Sequence, residues 1–112
     1  MKGWIGVDLD GTLAKYDSWR GPDHIGDPVP RMVERVKKWI SDGKYVQIVT
    51  ARVHPNNPGA CESREAIEDW LENVFGYVLP IRSDKDFNMI EIWDDRCVQV
   101  VPNTGERADG EE

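Results

Sequence analysis

Two carboxylates stand two residues apart in the stretch "IGVDLDGTLAKY", where Asp8 and Asp10 close an apolar run and Gly11 and Thr12 follow at once. Carboxylates this close repel each other unless a proton, a cation or open solvent relieves them. The stretch therefore reads either as an exposed turn, since Asp-Gly is a favoured two-residue hairpin connection, or as part of a cation site. A calcium-binding EF-hand loop does not fit, because the twelfth position counted from Asp8 is Trp19 and not Glu. Further along come Thr50 after "YVQIV", Lys85, and the pair Asp94 and Asp95 after "MIEIW". Each has an ordinary reading alone: a strand-end hydroxyl closing a turn, a solvated surface lysine, a loop acid paired with Arg96. Jointly they match the needs of phosphate-ester chemistry, in which an anionic nucleophile must approach an anionic ester. That approach calls for a screening cation, a positioned carboxylate, a hydroxyl donor and a compensating charge. Mg²⁺ is the natural cation for such oxygen donors.

These groups need a frame that delivers them to one place. Residues 4–9 and 45–50 read as buried strands, the second β-branched in character. Between them "DPVPRMVERVKKWISDG" carries Met32, Val33, Val36, Trp39 and Ile40 at helical spacing, predicting a helix over 29–42 with Asp27 as its cap and Gly43 as its stop. Ser63 is placed to cap a second helix, "REAIEDWLENVFG", with Ala66, Ile67, Trp70, Leu71 and Val74 on one stripe and Gly76 at its end. Short strands follow at "YVLPI", "MIEIWDD" and "CVQVV", and the polar tail 104–112 reads as a disordered acidic segment. Strands alternating with helices predict an α/β protein with a Rossmann-like parallel sheet of about five strands, in one domain over 1–103. Right-handed crossovers then bring the carboxyl ends of the strands to one edge, where ligands bind.

Composition sets outer limits. At 112 residues the chain holds one modest core, and no apolar run is long enough to span a membrane. The N-terminus lacks the apolar region of a signal peptide, which places the protein in the cytoplasm by expectation. Cys61 and Cys97 have no metal-binding spacing and read as isolated thiols. With 14 basic against 21 acidic side chains, the net charge of -7 opposes adhesion to long nucleic acid.

The order "DLDGT", then "IVTAR", then Lys85, then "WDDR" resembles the four motifs of the haloacid dehalogenase superfamily, and the likeness runs from residue 4 to about 101. The resemblance implies a phosphomonoester hydrolase with Asp8 as nucleophile, passing through an aspartyl-phosphate, and Asp10 as acid and base. It implies Mg²⁺ held by Asp8, the backbone carbonyl of Asp10, and Asp94. Thr50 would contact a phosphoryl oxygen, Lys85 would balance charge, and Asp95 would support the metal or orient Lys85. Gly11 would let the backbone approach the phosphate with Thr12 close behind. The spacings leave no room for a separate cap domain, a layout that in this superfamily leaves the site open.

Specificity then falls to loops 13–28 and 51–62. The first carries Tyr16, Trp19, Arg20 and His24, where an aromatic beside an arginine can stack on a base and bind a phosphate, or simply pack the loop. Arg52 and His54 face the site from the second loop. The run "RGP" at Arg20, Gly21 and Pro22, with "VQIVTAR" and "DDR", is similar to the 3'-phosphatase domains of bacteriophage polynucleotide kinases, although the chain has no GxxxxGK[ST] loop for a kinase half. That similarity implies nucleotides or polynucleotide 3'-phosphate ends as substrates. The competing expectation is a non-catalytic module that binds a phosphorylated partner through the same metal-dependent edge.

Overall fold

The apolar runs become the strands of one sheet in the computed structural model, which describes residues 3–111. In chain order the elements are β1 (Trp4–Asp8), α1 (Pro30–Ser41), β2 (Tyr45–Val49), a one-turn 3-10 helix (Ala51–Val53), α2 (Ala60–Phe75), β3 (Ile81–Arg82) and β4 (Met89–Trp93). The sheet order is β3-β2-β1-β4 and every pairing is parallel. The protein is thus α/β with a Rossmann-like parallel sheet flanked by helices. Among the described residues four strands form where about five were expected. Residues 97–101 are not a strand, because a turn closes directly after β4: the backbone N–H of Arg96 donates to Asp94 Oδ1 (2.7 Å) and Cys97 Sγ donates to the Asp94 carbonyl (3.3 Å). The tail read as disordered carries an isolated antiparallel bridge between Val100 and Arg107 at its near end.

Helix starts differ from the expected caps for identifiable reasons. At α1, Pro30 occupies the first turn and Val29 precedes it, so the helix opens on a residue with preset φ and no N–H to satisfy. Asp27 instead offers its carbonyl to the Lys15 N–H. At α2 the chain enters through a turn in which Asn57 Oδ1 accepts from the Gly59 N–H, and the helix begins at Ala60, three residues before Ser63. Ser63 is fully buried and its hydroxyl donates to the Pro22 carbonyl (3.0 Å), tying α2 to the first loop. Gly76 ends α2 in the left-handed region, as its position predicted.

Alternation along the strands divides the sheet into two unlike faces. Ile5, Val7, Val46 and Ile48 join one buried cluster with Met32 and Val36 of α1 and with Ile67, Leu71 and Phe75 of α2. Each such side chain contributes about 1.5–3 kcal/mol on full burial. Both crossovers run in the same direction across the sheet, which puts both helices on this face. On the other face Trp4 is 2% exposed without a helix over it. Its cover is the chain returning from β3 to β4: the Arg82 guanidinium lies 4.7 Å from the Trp4 ring centroid, and the indole N–H donates to Asp86 Oδ1 (2.8 Å). Arg82 also donates to Gln47 on β2.

Candidate functional site

The carboxyl edge of the sheet gathers most of the predicted groups. Asp8 is the last residue of β1, Thr50 follows β2, Ser83 follows β3 and Asp94 follows β4. Together with Asp10, Tyr16, Trp19, Arg52, Asn57, Asp95 and Arg96 they line an open cavity of about 490 Å³.

The turn after β1 is a compact loop and not a hairpin, since both neighbours of β1 run parallel to it. Leu9 and Leu13 are fully buried and anchor it, and the N–H groups of Leu13 and Ala14 both donate to the Leu9 carbonyl. Gly11 has φ +89°, and a Cβ there would lie 2.5 Å from Asp95 Oδ2. Glycine is thus required twice, for its backbone conformation and for the approach of Asp95. Thr12 completes the contact: its Oγ1 accepts from the Asp95 N–H (3.1 Å) and donates to Asp95 Oδ1 (3.4 Å).

Asp8, Asp94 and Asp95 each present a carboxylate oxygen, and these oxygens lie within 4.8 Å of one another. The Asp8 carboxyl is pushed up to about 7, first by its burial, then by the negative charge of Asp94, by a hydrogen bond to Asp95 and its charge, and by Asp10. A cation held among these carboxylates would relieve that repulsion. An all-oxygen donor set of this charge suits a hard divalent cation such as Mg²⁺ or Ca²⁺ and disfavours thiophilic metals. Asp95 belongs to the cluster itself, whereas the sequence had given it only a supporting part.

Asp10 points elsewhere. Its carboxylate accepts from Arg52 Nε (2.7 Å) and Nη2 (2.9 Å) in a bidentate pair, with Arg52 only 6% exposed. Arg52 Nη1 donates to the Pro22 carbonyl, and the Trp19 ring lies 4.9 Å from the guanidinium. Arg52 was expected to hold the far side of a substrate. It is instead committed to Asp10, because the buried pair and the indole above it occupy its donors and its face. The Asp10 side chain is outside the three-carboxylate cluster, which leaves its backbone carbonyl as the group that the family pattern would direct at a metal. Thr50 is buried, and its Oγ1 accepts from the Arg52 N–H, so it caps the 3-10 turn while lining the cavity.

Arg20, His24, His54 and Lys85 are not among the residues that line the cavity. Arg20 is exposed, pairs with Asp17 (3.0 Å), and lines a separate shallow hollow with His24. Lys85 is exposed on the return segment and is not among the lining residues. The cause lies next to it: Asp86 is hydrogen-bonded to Trp4 at the start of β1, and the Asn88 carbonyl accepts from the Trp4 N–H, so the segment runs toward the end of β1 opposite Asp8. Tyr16 and Trp19 do line the mouth, 42% and 54% exposed. His54 is exposed and its Nδ1 accepts from the Asn56 N–H. Asn57, Ser83 and Arg96 line the cavity although the sequence reading gave them no site role. Position at a strand end could have flagged Ser83 and Arg96; nothing local marks Asn57.

No protein-family model and no curated protein matches the chain. Among solved structures it is similar to a conserved protein from Bacteroides thetaiotaomicron, described only as coded by a locus of that organism. The two are 21% identical, with 92% of this chain and 84% of that one covered and a TM-score of 0.59. At that identity the similarity is one of fold.

Proposed function

We propose that the protein is a Mg²⁺-dependent phosphomonoester hydrolase of the haloacid dehalogenase type without a cap domain. The observation that carries this reading is the cluster of Asp8, Asp94 and Asp95 at the carboxyl edge, facing a cavity that also holds Asp10 and Thr50. Asp8, Asp94, Asp95 and the backbone carbonyl of Asp10 would hold the metal, whose bound charge lowers the repulsion between nucleophile and ester.

An Asp8 oxygen attacks phosphorus, and the bond from phosphorus to the ester oxygen breaks. The leaving oxygen takes its proton from Asp10 when that carboxyl is protonated, which requires one of its two bonds to Arg52 to be released. In the second half Asp10 takes a proton from water, the water oxygen attacks phosphorus, and the bond to Asp8 breaks to release phosphate. Arg52 holds the Asp10 carboxylate in one orientation, so that proton transfer occurs along a fixed direction. Thr50 offers its hydroxyl hydrogen to a phosphoryl oxygen while its lone pair receives the Arg52 N–H.

The open cavity and the exposed Tyr16 and Trp19 at its mouth favour a substrate with a flat leaving group, such as a nucleotide or a polynucleotide 3'-phosphate end. A panel of 3'-phosphorylated oligonucleotides, mononucleotides and sugar phosphates ranks these. The reading itself is tested with an aryl phosphate in the presence of Mg²⁺. Asp8→Asn abolishes phosphate release while circular dichroism stays unchanged, and chelation abolishes wild-type turnover reversibly. Undiminished turnover by Asp8→Asn would sink the assignment. Mg²⁺ binding without turnover across the whole panel would favour a binding module.

A further inference from the structure

We infer that Arg96 supplies the positive charge that receives the transferring phosphoryl group, a proposal that rests on the phosphohydrolase reading above. The charges around the cavity are unevenly matched. Asp8, Asp10, Asp94 and Asp95 face Arg52 and Arg96. Arg52 is consumed by Asp10, which leaves three carboxylates, and a divalent cation does not neutralise them even before a dianionic phosphate arrives. A further cation is needed at the phosphoryl position.

The other basic side chains near this edge are engaged or directed away. Arg82 is bound to Asp84 and Asp86 and lies against Trp4 on the far face. Arg20 is held by Asp17, and Lys85 follows the return segment toward the opposite end of β1. Arg96 lines the cavity, is exposed, and has no carboxylate paired to its side chain among the described residues. Its backbone is fixed by the N–H bond to Asp94 Oδ1 (2.7 Å), which sets it two residues from a carboxylate of the cluster. A guanidinium there can give two parallel N–H bonds to phosphoryl oxygens, a geometry that a lysine cannot reproduce.

The experiment compares Arg96→Ala, Arg96→Lys and Lys85→Ala with the wild type in two readouts. One is kcat/KM for an aryl phosphate with Mg²⁺. The other is binding of inorganic phosphate with Mg²⁺ present, measured by calorimetry on the wild type and on each variant. Arg96 is an exposed loop residue, and thermal melting confirms that each variant is folded. The proposal expects Arg96→Ala to lower kcat/KM by about 10²–10³-fold, to weaken phosphate binding, and to be only partly rescued by lysine, while Lys85→Ala stays within about twofold. Loss of activity in Lys85→Ala with Arg96→Ala near wild type would overturn it and leave the phosphohydrolase reading intact. If the wild type hydrolyses nothing, that reading fails, and phosphate binding decides the inference alone: weakening by Arg96→Ala supports an anion site at Arg96, and unchanged binding overturns it.

Discussion

At the residue scale the chemistry turns on Asp8, whose carboxyl is held in a place where ionisation is unfavourable without a cation. A folded-state value raised from the ordinary 3.8 to about 7 means that its favourable contribution to folding is complete below 3.8. The contribution is then lost as the pH rises through about 7. In the metal-free protein the melting temperature should therefore fall between pH 4 and pH 7 relative to Asp8→Asn, by about 5 °C once solvent screening of a partly exposed carboxyl is discounted. Parallel melting curves for the two proteins across that range would refute the repulsion described here. The residues found in place from sequence share one property: Asp8, Thr50 and Asp94 stand where a strand ends, and strand ends are legible. Arg52 lines the cavity but is held by Asp10, and Lys85 stands outside it, because their directions depend on partners far along the chain. Asp10 lies 42 residues from Arg52, and the Trp4–Asp86 contact that steers the Lys85 segment spans 82.

At the scale of elements, Arg52 links three of them. It stands in the 3-10 turn after β2, grips the loop after β1 through Asp10, and reaches the 15–28 loop through Pro22 and Trp19. Ser63 fastens α2 to the same Pro22 carbonyl. Arg52→Lys keeps the charge but loses the fork, so it should cost about 2 kcal/mol of stability. It should also accelerate hydrogen exchange in residues 16–24, and unchanged exchange there would show that the loop is held by other contacts. The positions of β1, β2 and β4 were readable from β-branched and apolar runs and the end of α2 from Gly76, whereas the run at 77–81 pairs only from Ile81, in β3. The helix starts were less so, because Pro30 and the Asn57–Gly59 turn act through backbone geometry where the side chains of Asp27 and Ser63 looked like caps. The segment 97–101 has the alternation of a strand, but the Asp94 turn directs it off the sheet before it can pair.

At the scale of the whole molecule, a ligand that binds only the folded cluster should stabilise the entire chain. If the cluster binds Mg²⁺ as proposed, a hundredfold excess over its Kd would contribute about 2.7 kcal/mol, which for a domain of this size is a rise in melting temperature of roughly 10 °C or more. Calorimetric melting with and without chelator measures it, and a shift confined to Asp8→Asn would contradict the assignment of ligands. The two-faced sheet has a further bearing on how the molecule comes into being. Its central strand β1 precedes its partner β4 and the cluster residues Asp94 and Asp95, with two helices and two strands between. Asp95 meets Thr12 across 83 residues of chain. No chain that stops short of Asp95 can assemble the three carboxylates, so a cation that needed all three would be captured only once β4 had closed the sheet.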